Sequence, residues 1–222
     1  GMLIQSKNYL ATHGMNPANI SLYGQEMNLS TWAICKMNMF LHGIYNADIR
    51  KGDTIRDPKH TEKGELMTFD RVIANPPFSL SKWGKNTADN DPFGRFPYGT
   101  PPESAGDLGF VQHMIASLNA EGVLGVVMAH GVLFRGSSEK NIRHGILKDD
   151  LLEAVISLPA GLFYGTGIPA CVLVINKNKL NLRRNKVLFI NAEFEYEEGK
   201  NQNKLRYQDI EKIVATFDNY EE

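Results

Sequence analysis

The stretch Phe69-Asp70-Arg71-Val72-Ile73-Ala74-Asn75-Pro76-Pro77-Phe78 decides how this chain is read. Its first six residues form a largely apolar run, and short runs of this kind bounded by turn signals are buried strands. Asn75 and the two prolines end the strand, because proline fixes φ and has no N–H for a ladder. Upstream, residues 2–12 read as a helix with Leu3, Ile4 and Leu10 on one side. Asn19 to Tyr23 reads as a short strand ending at Gly24-Gln25-Glu26, Asn28 to Gly43 as a helix, and Ala47 to Arg50 as a strand followed by Lys51-Gly52-Asp53. Downstream, residues 79–106 read as a long Gly/Pro/Ser/Asn-rich loop, and Asp107 as the N-cap of a helix over Leu108 to Asn119. Strands are expected at Gly122 to Ala129, Leu151 to Leu158, Ala170 to Asn176 and Val187 to Ala192. Helices are expected from a Ser137 or Ser138 cap to Lys148, and at Gln208 to Phe217. This alternation implies an α/β domain with a mostly parallel sheet, whose ligands bind beyond the carboxyl ends of the strands. Glu26, Asp53 and Asn75 all fall at or just past such ends.

Asn-Pro-Pro-aromatic after a strand suits the methylation of an amino group. An exocyclic amine on a base is a poor nucleophile, because its lone pair is delocalised into the ring. Two acceptors against its N–H bonds favour a pyramidal nitrogen, and the Asn75 side-chain carbonyl and the Pro76 main-chain carbonyl are candidates. The prolines, Pro76 and Pro77, keep that backbone rigid, and Phe78 offers a flat face for an extruded base. No general base is required, since the methylated nitrogen sheds its proton readily. A carboxylate after the second strand suits the ribose hydroxyls of an adenosine cofactor, which points to Glu26. Asp53 could accept from the cofactor's adenine amino group, or simply close a turn after Gly52.

Composition sets wider limits. The 222 residues are 42% apolar and 22% charged, enough for a sizeable core and unlike a disordered or fibrous chain. The net charge of −1 gives no global basic footprint, although residues 191–222 carry −5 and the remainder +4. Cys35 and Cys171 lie in apolar segments and read as reduced core residues of a cytosolic protein. No stretch reads as a membrane span or a signal peptide.

The chain resembles the modification (methyltransferase) subunits of type I restriction-modification systems, the N6-adenine DNA methylase family. The resemblance rests on Tyr23-Gly24-Gln25-Glu26, Asn75-Pro76-Pro77-Phe78, Arg95-Phe96-Pro97-Tyr98-Gly99 with Pro101-Pro102, and Phe110-Val111-Gln112-His113-Met114. It continues through Gly131-Val132-Leu133-Phe134-Arg135-Gly136, Leu158-Pro159, Leu162-Phe163-Tyr164 and Gly199-Lys200-Asn201-Gln202-Asn203. The resemblance implies a Rossmann-like methyltransferase sheet, mostly parallel with an antiparallel late strand. It implies S-adenosyl-L-methionine as cofactor and adenine N6 in double-stranded DNA as target, with a specificity subunit and in some systems a restriction subunit as partners. By resemblance Glu26 and Asp53 take the cofactor, with Asn75 also beside it, while Asn75, Pro76 and Phe78 hold the adenine. The family's Asp-Pro-x-x-Gly-x-Gly cofactor loop has no counterpart here, so residues 1–192 are expected to form a partial catalytic domain lacking the first strand. Weak cofactor binding is the corresponding expectation. Residues 193–222 are expected to form an acidic C-terminal segment with a short helix. The alternatives are a non-catalytic module that binds the specificity subunit, or a methyltransferase acting on another planar amine or amide.

Other residues are read more plainly. Trp83, Phe93, Phe96 and Tyr98, with Lys82, Lys85 and Arg95, suit contact between the 79–106 loop and a nucleotide, and the loop is expected to be poorly ordered without DNA. His113 and His130 read as structural, and Cys171 lacks an adjacent base. No His/Cys/Asp cluster has metal-ligand spacing. The run Lys177 to Arg184 reads as a solvated hairpin connection.

Overall fold

The computed structural model describes residues 1–163 and 167–220. The backbone divides into two compact units, Gly1–Met67 and Thr68–Glu222. In the first unit, α1 (Met2–Thr12) leads through a 3-10 turn at Pro17–Asn19 to β1 (Tyr23–Glu26). Then follow α2 (Leu29–Leu41), β2 (Asp48–Lys51) and a small hairpin of β3 (Thr61–Glu62) and β4 (Glu65–Leu66). β1 and β2 pair in parallel, Glu26 opposite Lys51. Asn28 caps α2 by accepting the Thr31 N–H at 3.0 Å. Ile4, Leu22, Met39, Ile44, Ala47 and Ile49 form the core of this unit.

The strand expected at Asn19 to Tyr23 lies four residues later. Asn16 accepts the Ala18 N–H and Pro17 starts the 3-10 turn, so the chain is still turning where the apolar run begins. The ladder instead uses Gly24 and Gln25, and Gly24 leaves room for Ile49, whose Cδ1 would lie 3.1 Å from an added Cβ.

The second unit holds β5 (Phe69–Ala74), α3 (Lys85–Ala88), α4 (Asp107–Ala116), β6 (Leu118–Ala129), α5 (Gly131–Phe134), α6 (Ser138–Lys148), β7 (Leu152–Ser157), β8 (Ala170–Asn176), β9 (Leu188–Asn191) and α7 (Tyr207–Asn219). Its sheet has the order β5-β6-β8-β7-β9. β5 runs parallel to β6 and β9 parallel to β7, while β8 is antiparallel to both neighbours. The expected α/β sheet with an antiparallel late strand is therefore present. Strand alternation sends Val155, Cys171, Leu173 and Ile175 into a core with α4 and α6. Ile156, Val172 and Val174 point the other way, into a core with Ile213 and Phe217 of α7. Ser137 precedes α6 as expected but makes no side-chain capping bond.

The link from β8 to β9 is not a hairpin, because β7 lies between them in the sheet. Nor is the run Lys177 to Arg184 simply solvated. Lys177 Nζ donates to the Leu118 carbonyl at 2.7 Å, and burial lowers its pKa. Lys179, 5% exposed, pairs with Asp150 at 2.6 Å. Arg183 pairs with Glu153 at 3.1 Å and stacks on Phe217 and Tyr220.

Candidate active site

Asn75 follows the last residue of β5, whose Ala74 is in register with Val126 of parallel β6. The tetrapeptide thus leaves the carboxyl end of a parallel pair. Asn75 and Pro77 are exposed, and Pro76 and Phe78 half-buried. Phe78 meets Phe163 edge-on, with ring centroids 6.3 Å apart and planes at 84°. The resemblance motif's Tyr164 lies outside the described residues.

Ser79 turns the chain sharply at φ +50, a left-handed conformation that costs an L-residue about 1 kcal/mol. Its N–H donates to Asp107 Oδ1 at 2.8 Å. The expected cap role of Asp107 is therefore replaced. Asp107 is the first residue of α4, Gly106 occupies the cap position without a side-chain bond, and Asp107 is fully buried. Its other oxygen accepts from Arg135 Nη2 at 2.9 Å. Arg135 also approaches Glu139, with Nε 3.5 Å from Oε2. Arg143 donates to the carbonyls of Val132 at 3.1 Å and Arg135 at 2.6 Å. Gly131 makes room for the guanidinium, since an added Cβ would lie 3.0 Å from Arg135 Nε. Sequence reasoning missed this set. The signal lay in Arg135, Glu139 and Arg143, charges of alternating sign at four-residue spacing.

The loop expected to be poorly ordered is instead packed against helices. Trp83 is 1% exposed and donates to the Pro102 carbonyl at 3.0 Å. Its ring fills the space over Gly106 and Gly109, where added Cβ atoms would come within 2.4 and 2.8 Å. Arg95, also 1% exposed, pairs with Asp91 at 2.7 Å and lies over Phe93 and Phe96. Tyr98 donates to Asp149 at 2.6 Å, and burial, then the Asp149 carboxylate, raises its phenol pKa. Trp83 and Arg95 are consumed by packing and are corrected from nucleotide-contact candidates to loop anchors. Lys85 pairs with Asp89 at 2.6 Å.

His113 Nδ1 lies 3.2 Å from Arg95 Nη1, and since a guanidinium only donates, that nitrogen accepts. His130 Nε2 donates to the Ala170 carbonyl at 3.0 Å and lies 3.3 Å from Ser157 Oγ. Cys171 is fully buried, and burial pushes its thiol pKa up to about 11. Among the described residues no group of three or more His, Cys, Asp or Glu could hold a metal, and no helix is long and apolar enough to cross a membrane.

In the first unit Glu26 ends β1, and its Oε1 accepts the Asn28 N–H at 2.7 Å. Asp53 lies two residues beyond β2. Its Oδ1 accepts the N–H groups of Ile55 and Arg56 at 2.9 Å each, and its Oδ2 pairs with Arg56 at 2.7 Å. Both carboxylates thus stand at carboxyl ends of a parallel pair. Asp53 closes a turn, whereas Glu26 keeps Oε2 outside that local bond.

The chain is 38% identical over 232 residues to the type I restriction enzyme MjaVII methylase subunit of Methanocaldococcus jannaschii, covering 100% of this chain and 39% of that protein. It is 34% identical to the type I restriction enzyme HindI methylase subunit of Haemophilus influenzae, covering 98% of this chain and 48% of that one. Among solved structures, the methyltransferase subunit of a type I restriction-modification system from Streptococcus thermophilus superposes with a TM-score of 0.88 at 37% identity, covering 99% of this chain and 46% of its own. The chain thus spans less than half the length of each of these relatives. The N-6 DNA Methylase family model matches all of residues 1–222. With that match, and an α/β sheet that delivers Asn-Pro-Pro-Phe at a strand's carboxyl end, this chain belongs to the N-6 DNA methylase family.

Proposed function

We propose that this chain is the catalytic part of a type I restriction-modification methyltransferase, methylating N6 of adenine in double-stranded DNA. The observation that carries the reading is the Asn75-Pro76 step at the carboxyl end of β5, with Asn75 exposed and Phe78 beside it. The Asn75 carbonyl and the Pro76 main-chain carbonyl accept the two N–H bonds of the adenine amine, which localises its lone pair. Pro76 and Pro77 keep these acceptors from relaxing, so the bonds favour the developing cation over the neutral amine. Phe78 stacks on the flipped base, with Phe163 at the edge of its ring.

S-adenosyl-L-methionine supplies the electrophilic methyl group. Glu26 fits its ribose through Oε2, the oxygen that does not hold Asn28. Asp53 fits less freely, because an adenine amino group would share Oδ2 with Arg56.

Residues 1–192 form the catalytic domain in this reading. The acidic segment 193–222 carries Phe194 at 83% and Tyr207 at 75% exposure, side chains suited to a partner surface. The partners are DNA, a specificity subunit that reads the sequence and, in some assemblies, a restriction subunit, all in the cytoplasm.

Labelled methyl transfer by the full-length protein with its partner subunits tests the reading. Adenine in duplex DNA should be labelled and protein substrates should not. Asn75→Ala should lower the rate by roughly a hundredfold or more, the scale of losing one oriented transition-state contact. Unchanged labelling in that variant would sink the assignment.

A further inference from the structure

The tandem prolines deprive the acceptor turn of two backbone donors, so few hydrogen bonds can hold it from within. The first two residues after the tetrapeptide are both tied to the start of α4. The Ser79 N–H donates to Asp107 Oδ1 at 2.8 Å, and the Leu80 carbonyl accepts from the Gly106 N–H at 3.0 Å. Ser79 is held at φ +50, a conformation that costs an L-residue about 1 kcal/mol. Asp107 is fully buried, and its second oxygen is fixed by Arg135 at 2.9 Å. Arg135 is fixed in turn by the gap at Gly131 and by Arg143, which grips its carbonyl.

We propose that Asp107 is a positioning residue for methyl transfer. It holds the Asn75-Pro76 acceptors in place through the Ser79 N–H, and Arg135 acts as its orienting partner. The proposal rests on the functional reading above. Asp107 makes no contact with the reacting atoms in this scheme, and its effect is geometric. A carboxylate accepts from Ser79 and Arg135 at once, each through its own oxygen. An amide of the same shape has one acceptor oxygen and turns an N–H₂ toward one of two donors. Asp107→Asn should therefore loosen the turn while keeping its volume.

The test compares Asp107→Asn, Arg135→Gln and Asn75→Ala in the full-length protein with its partner subunits. For Asp107→Asn the expected result is a fall in kcat of about tenfold to a hundredfold, the scale of a small misplacement of reacting groups. The KM for S-adenosylmethionine should stay within about twofold, since the proposed cofactor carboxylates Glu26 and Asp53 are untouched. Amide hydrogen exchange should show Ser79 exchanging at least about tenfold faster, while the β6 amides keep their protection. Arg135→Gln, on a partly exposed side chain, should show the same pattern more weakly, and it carries the test if Asp107→Asn does not fold. An unchanged kcat in a folded variant overturns the proposal, as does a loss of kcat with unchanged Ser79 exchange. If Asn75→Ala abolishes methylation while these variants do not, only the positioning role fails. If Asn75→Ala is also fully active, the functional reading itself fails.

Discussion

Glu139 lies on the first turn of α6 with 3% of its surface exposed, and its Oε1 is buried without a hydrogen-bond partner. Burial raises its pKa above the ordinary 4.5, and the nearby Asp107 adds to that, while Arg135 and Arg143 only partly oppose it. Above pH 4.5 the folded protein therefore retains a proton that the unfolded chain has released. Stability falls as pH rises through that window, and the loss persists above it. Glu139→Gln removes the titration and keeps the shape. Its thermal midpoint should exceed that of the unsubstituted protein at pH 7 to 8, and the two should converge below about pH 4.5, near the unfolded carboxyl's own pKa. Thermal melts across pH check this, and a Gln variant that is less stable at pH 8 would refute it. The same residues mark the limit of what the sequence discloses. Asn75 to Phe78 stand out in the sequence because the four residues proposed to hold the adenine are adjacent. The Asp107 support was not, because its partners lie 28 residues to either side, at Ser79 and Arg135, and only folding brings them together.

At the scale of elements, apolar strands were read well, except that β6 starts at Leu118, four residues before its expected Gly122 and within the span read as helix, and short polar strands were read poorly. β5 and β8 were expected at their observed limits, since hydrophobic side chains and hydrogen bonds coincide there. In β1 they part company. Leu22 is buried ahead of the strand, and the ladder runs through Gly24 and Gln25, which read as the strand's end. The basic run after β8 was misread for a related reason. Charge pattern alone cannot separate a solvated lysine from one that satisfies buried carbonyls and carboxylates. Arg183 is the decisive case, because it joins Glu153 of β7 to the aromatic end of α7 and donates to the Asp218 carbonyl at 2.8 Å. Its side chain is 14% exposed and that of Glu153 only 3%. Removing one member of a buried pair leaves the other uncompensated, which costs about 3 kcal/mol. Arg183→Ala should therefore lower the unfolding free energy measured by denaturant titration by that order. Arg183→Ala combined with Glu153→Gln should recover part of the loss. If the double variant is no more stable than Arg183→Ala, the arginine is acting mainly through its aromatic stacking.

At the scale of the whole molecule, the two cysteines lie in different compact units and provide a readout of folding. Cys35 is half-buried on α2 in the first unit. Cys171 is fully buried in β8, in the main core of the second, with its thiol pushed up to about 11 by burial. At pH 8 only roughly one Cys171 in a thousand would be thiolate even if a reagent could reach it. A water-soluble thiol reagent should therefore modify Cys35 first and Cys171 only when the surrounding sheet opens. Under conditions where opening and closing outpace modification, the Cys171 rate reports the free energy of that opening. Leu124 is fully buried on β6, the strand paired with β8 on one side, and belongs to the same core. Leu124→Ala should destabilise that core by about 3 kcal/mol. Cys171 labelling should then speed up by roughly a hundredfold, since each 1.4 kcal/mol is a factor of ten. Mass spectrometry of the labelled peptides separates the two sites. Labelling of Cys171 that is fast in the unsubstituted protein, or indifferent to Leu124→Ala, would mean that β8 opens locally without the rest of its sheet.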